Sequence, residues 1–479
     1  MTDALSRTPL DIQISIIKFL DPYDILQLRK TCRSLYCATM QITIWMEALH
    51  RVCIRNSTFR PSFSLESMSR LALEHAATAP RRWIALASRT SDRDRPIPPY
   101  KTSYLKPTAS EILERCATLY LVPGGRFLVT VSWNMVAVWD LDFVVGLGLH
   151  VTQFMEPLAL TKLTFTGMFL VHPTPDDLGL RILLSALEPT WQGDFNGGDL
   201  PETFLVYEIY PQSENPQLRK IAELQKSGEN ISFFCHSLDR LVFLQGATLN
   251  IWDYKADAWA SWTVPGDYDQ ILVDQSSIIL LYRSGVSVWS IPPLSPSKPP
   301  FSDADPPSVP PHFTLLYPDL GSVWCEGPCD WYSGSPQPHI YDLIEVDGID
   351  FPIKSRRYEV VLGGHLKSAE LAERWTFAIS RSADLKFESG FFCENTLVSW
   401  WFDSASQLVK VHTGSTFAAG REAASRKVIV DETLTLLQTH DIWKGCVGLC
   451  PVSARFLYLD TEKGIRVLDY LPSPNSQTS

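Results

Sequence analysis

Two cysteine pairs have the spacing most suited to chemistry, Cys325-Glu-Gly-Pro-Cys329 and Cys446-Val-Gly-Leu-Cys450. Four thiolates meeting in space would form a tetrahedral zinc site. A competing reading comes from strand alternation, in which Val447 and Leu449 face one way and Cys446 and Cys450 the other, as buried thiols. The alternation favours the second reading, and no metal is expected. Asp176 and Asp177 stand in a Pro-Asp turn context and read as solvated. Pro123-Gly124-Gly125-Arg126 reads as a hairpin turn. No Gly-rich phosphate cradle, Gly-x-Ser-x-Gly elbow or His-Glu-x-x-His helix occurs. The expectation is a non-catalytic chain without a cofactor.

The elements begin at residue 8. Thr8 suits an N-cap, Pro9 a first helical position and Asp11 a capping-box acid. Ile12, Ile16 and Leu20 recur every four residues, with Phe19 alongside, and draw an apolar stripe down one helix. Asp21-Pro22 starts a second helix with Asp24 in its first turn. Leu28, Cys32 and Leu35 carry the apolar face into a third. Three helices this short cannot enclose a core, so the unit is suited to docking on a partner.

This segment resembles an F-box. That family opens with Leu-Pro and an acid two residues on, then aliphatics at helical spacing, a turn with Asp and paired aliphatics, and a Cys-Arg pair. Pro9, Asp11, Ile12, Ile14, Ile16, Ile17 and Leu20 match, as do Asp24, Ile25, Leu26, Leu28, Cys32 and Arg33; Thr8 stands where the family prefers leucine. The resemblance covers residues 5–41. It implies binding of a Skp-type adaptor through Pro9, Ile12, Ile16, Ile17, Leu20, Leu26 and Leu28, with Cys32 and Leu35 at the edge. A cullin would join through the adaptor. The chain would then be the substrate receptor of a Skp–cullin–F-box ubiquitin ligase, its protein target unknown. A scaffold that binds the adaptor without delivering a target is the alternative, and a propeller enzyme a third.

Composition sets the frame. Of 479 residues, 45% are hydrophobic and 20% charged, as in ordinary globular chains. Fifteen Trp tilt the class towards large β layers. The net charge of −11 is uneven, with 14 Lys+Arg against 9 Asp+Glu in residues 1–100 and 28 against 44 beyond. An acidic large domain argues against nucleic acid. No run approaches the roughly 20 apolar residues of a membrane helix. The N-terminus shows no apolar signal segment, and ten scattered Cys read as reduced thiols, so a cytosolic or nuclear location is expected.

Residues 42–99 read as a helical linker and hinge. Ile44, Trp45, Leu49 and Val52 share one helix side. A second helix starts at Ser64 or Ser67 and is broken by Pro80, with a last short one around Trp83 and Ala87. The stretch 89–99 reads as a hinge or exposed loop. Fungal F-box proteins show a comparable extension ending in a tryptophan.

From residue 100 to 479 the period changes to two. The hairpin at 119–131 leads into Val136-Ala137-Val138-Trp139-Asp140, which resembles a WD-repeat blade. Similar ends recur at Tyr207, Trp252, Trp289, Trp400 and Leu468-Asp469. The fold class expected is therefore α+β multidomain: a small three-helix F-box with a helical linker, then a large all-β domain, an irregular β-propeller of about six to eight blades. Residues 291–312 hold nine Pro and read as an exposed loop that cannot pair in a sheet. A proline-docking role is the alternative to a plain insertion there.

Overall fold

The computed structural model describes residues 8–472 apart from connecting stretches, the longest of which are 142–149, 188–201, 297–306, 327–338, 417–428 and 439–445. Five helices come first: α1 (Leu10–Ile17), α2 (Pro22–Arg29), α3 (Arg33–Thr39), α4 (Ile42–Arg55) and α5 (Arg70–Arg89). Among the described residues no helix is long and apolar enough to cross a membrane. α4 forms as its pattern predicts and buries Ile44, Trp45, Leu49 and Val52. α5 departs from the expectation of two helices. It runs through Pro80, which is buried inside it. Proline removes one ladder donor and tends to kink a helix, but packing on both halves of α5 outweighs that loss.

Among the described residues the β region forms seven sheets, six of four antiparallel strands and one of five. Blade one holds Cys116–Leu121, Phe127–Ser132, Met135–Asp140 and Ala159–Lys162; blade two holds Thr166–Pro173, Leu180–Leu187, Glu202–Ile209 and Arg219–Lys226. Blade three holds Ile231–Ser237, Arg240–Gln245, Thr248–Asp253 and Ala258–Thr263; blade four holds Gln270–Val273, Ser277–Tyr282, Gly285–Ser290 and Phe313–Leu316. Blades five and six are built from 322–379 and 385–438. First strands touch at five of the seven junctions, and shared cores join blade one to two and blade six to seven, which arranges the sheets in a ring. This is a β-propeller.

Blade seven closes the ring. Val447–Cys450, Arg455–Leu459 and Ile465–Asp469 come from the end of the chain, and the fourth strand, Lys101–Pro107, comes from the start of the β region. They pair antiparallel with Lys101 opposite Asp469 and Leu105 opposite Ile465. His150–Met155 adds a parallel fifth strand outside it. The sequence pattern shows only the final hairpin, because its fourth strand lies over 300 residues away.

One ion pair repeats around the rim. An arginine at the start of a blade's second strand meets an acid at the end of its third: Arg126–Asp140 at 2.7 Å, Arg181–Glu208 at 3.3 Å, Arg240–Asp253 at 3.9 Å and Arg455–Asp469 at 2.7 Å. Two of these arginines also cross to the next blade. Arg455 Nη1 donates to Gly125 O of blade one at 2.6 Å. Arg181, only 1% exposed, pairs with Asp239 at 2.5 Å and donates to the Tyr254 hydroxyl at 2.8 Å, both in blade three. Removing one partner of a buried pair leaves the other charge uncompensated. Arg181→Ala is therefore expected to cost about 3–5 kcal/mol of unfolding free energy in urea melts. A loss below about 1 kcal/mol would mean that Arg219, 3.1 Å from Glu208, and Lys255, 3.3 Å from Asp239, satisfy the two acids without Arg181.

The proline-rich excursion is not fully detached, as the sequence suggests. Ser295 pairs with Trp259 and Ser308 with Thr263, so both of its ends lie on the outer strand of blade three. Proline lacks a donor, but Pro307 supplies a carbonyl, and the neighbouring serines retain their N–H groups.

Candidate partner-docking surface

The three short helices find their core by borrowing. Ile17, Ile25, Leu35 and Ala38 pack with Trp45, Ala48 and Leu49 of α4 and with Leu73, Ala76 and Ala77 of α5. Polar ties fix the arrangement. Gln13, buried on α1, donates to Ser34 Oγ of α3 and to Thr8 O, each at 3.0 Å. Arg29 makes a bidentate pair with Glu74 at 2.8 Å, lies 5.5 Å above the Trp45 ring, and so joins α2 to α4 and α5. Arg55 reaches Asp21 at 2.6 Å, and the Arg81 guanidinium stacks 3.9 Å over Tyr23.

The helix starts depart slightly from expectation. α1 begins at Leu10, with Pro9 rather than Thr8 in the N-cap position, and Pro9 O accepts from the Ile12 and Gln13 N–H groups. α2 begins with Asp21 at the N-cap and Pro22 at its first position, as expected. The Asp21 carboxylate turns to Arg55 instead of capping the backbone.

α1 is apolar on two sides, and only one is covered. Ile17 and Gln13 point inward and Ile14 is half-buried. On the outer side Ile12 and Ile16 are 45% and 42% exposed, at i and i+4 of one helix face. Leu10, 49% exposed, opens the helix on the side of Ile17, and Phe19, 84% exposed, lies in the turn that follows the helix. Tyr23 and Tyr36 are also exposed.

The residues singled out in the sequence therefore divide. Pro9, Ile12, Ile16 and Cys32 are exposed. Leu20, Leu26 and Leu28 are half-buried against the shared core. Ile17 and Leu35 are corrected: each is within 2% of fully buried, holding the helices together, and neither can meet a partner's surface. Sequence reading missed Leu10, Tyr23 and Tyr36.

α5 also seats this unit on the propeller. Its second half buries Ala79, Trp83 and Ala87 among Val409, Val411 and Leu436 of blade six and Phe456, Leu468 and Tyr470 around blade seven. Trp83 meets Tyr470 at 5.7 Å between ring centroids. Ile97, expected in a hinge, is buried, and its N–H donates to Thr435 O. Between α4 and α5 the chain docks on blade one. The Phe59 N–H and Ser62 Oγ both bond Pro123 O, and Arg126 donates to Ser64 Oγ at 3.0 Å. The Pro123-Gly-Gly turn is as expected, with Gly124 and Gly125 at φ 107° and 76°. A side chain at Gly124 would collide with Ser62, so glycine serves both the turn and the close approach. Burial, and then the Arg82 guanidinium that donates to His75 Nδ1 at 2.9 Å, hold the His75 pKa down to about 4.

Cys446 and Cys450 follow the alternation reading. Both are buried between blades seven and one, while Val447 and Leu449 face α5 and blade six. Cys446 Sγ donates to Cys116 O at 3.4 Å, and Cys450 Sγ accepts the Gly124 N–H at 3.3 Å. Cys325 lies in the strand Ser322–Glu326 of blade five, and Cys329 is outside the described residues. No group of His, Cys, Asp and Glu able to hold a metal is found among the described residues.

An exposed apolar helix face on a rigidly seated three-helix unit is a protein-docking device. Residues 5–51 match the F-box-like family. The chain thus joins an F-box-like domain to a propeller, two modules of protein interaction. None of the curated proteins matches it. The fold is similar to the β-propeller domain of Cps50 (Swd1) from Myceliophteria thermophila, at 8% identity and TM-score 0.45, covering 74% of this chain and 96% of that one. It is also similar to the WD40 domain of SCAP from fission yeast, at 11% identity and TM-score 0.40, covering 75% and 86%. The propeller assignment rests on the seven sheets themselves.

Proposed function

We propose that this chain is the substrate receptor of a Skp–cullin–F-box ubiquitin ligase, working in the cytosol or nucleus. The observation that carries the reading is the uncovered pair Ile12 and Ile16, with Phe19 exposed in the turn just beyond, on a helix whose opposite face is already filled. A helix apolar on two sides needs a cover on each. A Skp-type adaptor covers this one. Pro9 and Cys32 flank the contact, and half-buried Leu20, Leu26 and Leu28 offer their edges to it.

The linker docks on the rim bearing the first turn of blade one, next to the Arg126–Asp140 pair. The opposite rim, with the turns between second and third strands, is left for a protein target. The chain then acts by proximity, raising the target's effective concentration beside a ubiquitin-charged enzyme and adding no catalytic group of its own.

Co-purification from cells with the proteasome inhibited tests this. Adaptor, cullin and ubiquitinated clients are expected together. Adaptor without cullin would instead identify a scaffold, and absence of adaptor would overturn the assignment.

A further inference from the structure

Between Gly285–Ser290 and Phe313–Leu316 of blade four, the chain makes an excursion over the outer strand of blade three. Its outgoing limb, residues 291–296, reads Ile-Pro-Pro-Leu-Ser-Pro. Proline fixes φ near −65° at 292, 293 and 296. A residue preceding a proline is pushed out of the α region, which restricts 291, 292 and 295. Only Leu294 escapes both restraints. Such a chain favours the extended left-handed helix with three residues per turn.

Burial along the limb follows that three-residue repeat at two of its three phases. Ile291 and Leu294 pack on the core shared by blades three and four, and Pro293 and Pro296 are exposed, while Pro292 is half-buried and Ser295 exposed. The limb is pinned by two backbone bonds, Ser295 N–H to Trp259 O at 2.8 Å and Trp259 N–H to Ser295 O at 2.7 Å. The returning limb is held by Pro307 O, which accepts from the Thr263 N–H, and by Val309 O, which accepts from the buried Trp289 indole at 3.0 Å. Its exposed residues, 307–310, show no alternation of buried and exposed positions.

We propose that residues 291–296 are a docking element for a proline-reading domain of the SH3 or WW kind, with Pro293 and Pro296 entering adjacent slots between its aromatic rings. Proline ridges bind such grooves because little conformational freedom remains to be lost. Here the fold has already fixed the limb, so the ordering cost of binding falls further. Leu294 faces inward and is unavailable, which leaves a Pro-x-x-Pro edge as the recognised feature. A limb that merely covered the edge of blade three would need no outward proline pair at this spacing. The site is separate from the α1 face and does not depend on the adaptor reading.

Calorimetric titration of the full chain against a panel of purified SH3 and WW domains tests the proposal. At least one domain is expected to bind in the micromolar range. Pro293→Ala with Pro296→Ala should weaken that domain about tenfold or more without changing the melting temperature. Pro307→Ala with Pro310→Ala, and Ile12→Asp with Ile16→Asp, should leave its affinity unchanged. If no domain of the panel binds, or if the Pro293/Pro296 variant binds as well as the parent, the proposal is overturned. A lower melting temperature with undiminished binding would reduce the limb to an edge cover.

Discussion

The double substitution Ile12→Asp, Ile16→Asp is expected to weaken adaptor binding by at least about 100-fold while leaving the unfolding free energy within about 0.5 kcal/mol of the parent. Both side chains stand on the open face of α1 and contribute little to the chain's own core. Against a partner they become apolar anchors, and truncating a buried anchor costs about 2 kcal/mol or more each. An introduced aspartate adds desolvation to that loss. Ile17→Asp supplies the contrast. Ile17 is fully buried one helical step away, so a carboxylate there should unfold the helical unit itself. Surface plasmon resonance with purified adaptor, together with urea melts, separates the two cases. Undiminished binding by the Ile12/Ile16 variant would show that the adaptor approaches another face.

Trp83→Ala should be the most damaging single truncation in the linker, at about 3–5 kcal/mol. Its ring is enclosed by α5, blade six and blade seven, against Tyr470. The effect should extend beyond stability. With the plug removed, the first half of α5 still belongs to the helical core, but its second half loses its seat on the propeller. Small-angle scattering of the variant should show a broader range of distances between the two parts, with adaptor affinity retained. A variant that melts within about 1 kcal/mol of the parent and scatters identically would assign the seating to the Phe59 and Ser62 contacts alone.

Much of this was legible in the chain, for reasons that differ by place. The start of α2 followed from Asp21-Pro22 because the signal is local. The orientation of α1 did not, since its polar side, Asp11, Ser15 and Lys18 at i, i+4 and i+7, is flanked by apolar residues on both hands, Ile12 and Ile16 on one and Ile14 and Ile17 on the other. The one inward polar residue, Gln13, is satisfied by Thr8 and Ser34 through contacts that no periodicity shows. Pro80 reads as a break because the packing that carries α5 past it lies in other elements.

The propeller was legible where a blade is compact. Trp139, Trp252 and Trp289 each close a third strand. Trp400 does not; it lies on Thr396–Asp403, the second strand of blade six, which explains part of the irregular spacing. Blade five lacks an aromatic-acid end on its third strand, Ile353–Leu362, and shows in the sequence only as a degenerate blade, through strands near His339–Val346 and Trp375–Ile379. A better marker was present. Arg126, Arg240 and Arg455 each precede or open an apolar strand and are followed 13 or 14 residues later by Asp140, Asp253 or Asp469.

The last strands of the chain complete the blade that Lys101–Pro107 enters, and those same strands cover Trp83. During synthesis, about 380 residues must therefore leave the ribosome after α5 before that tryptophan can be fully shielded. A chain that stops early would carry a finished apolar face on α1 and an unshielded plug on α5. Premature termination before blade seven is complete would thus leave Trp83 without the part of its cover that those strands supply.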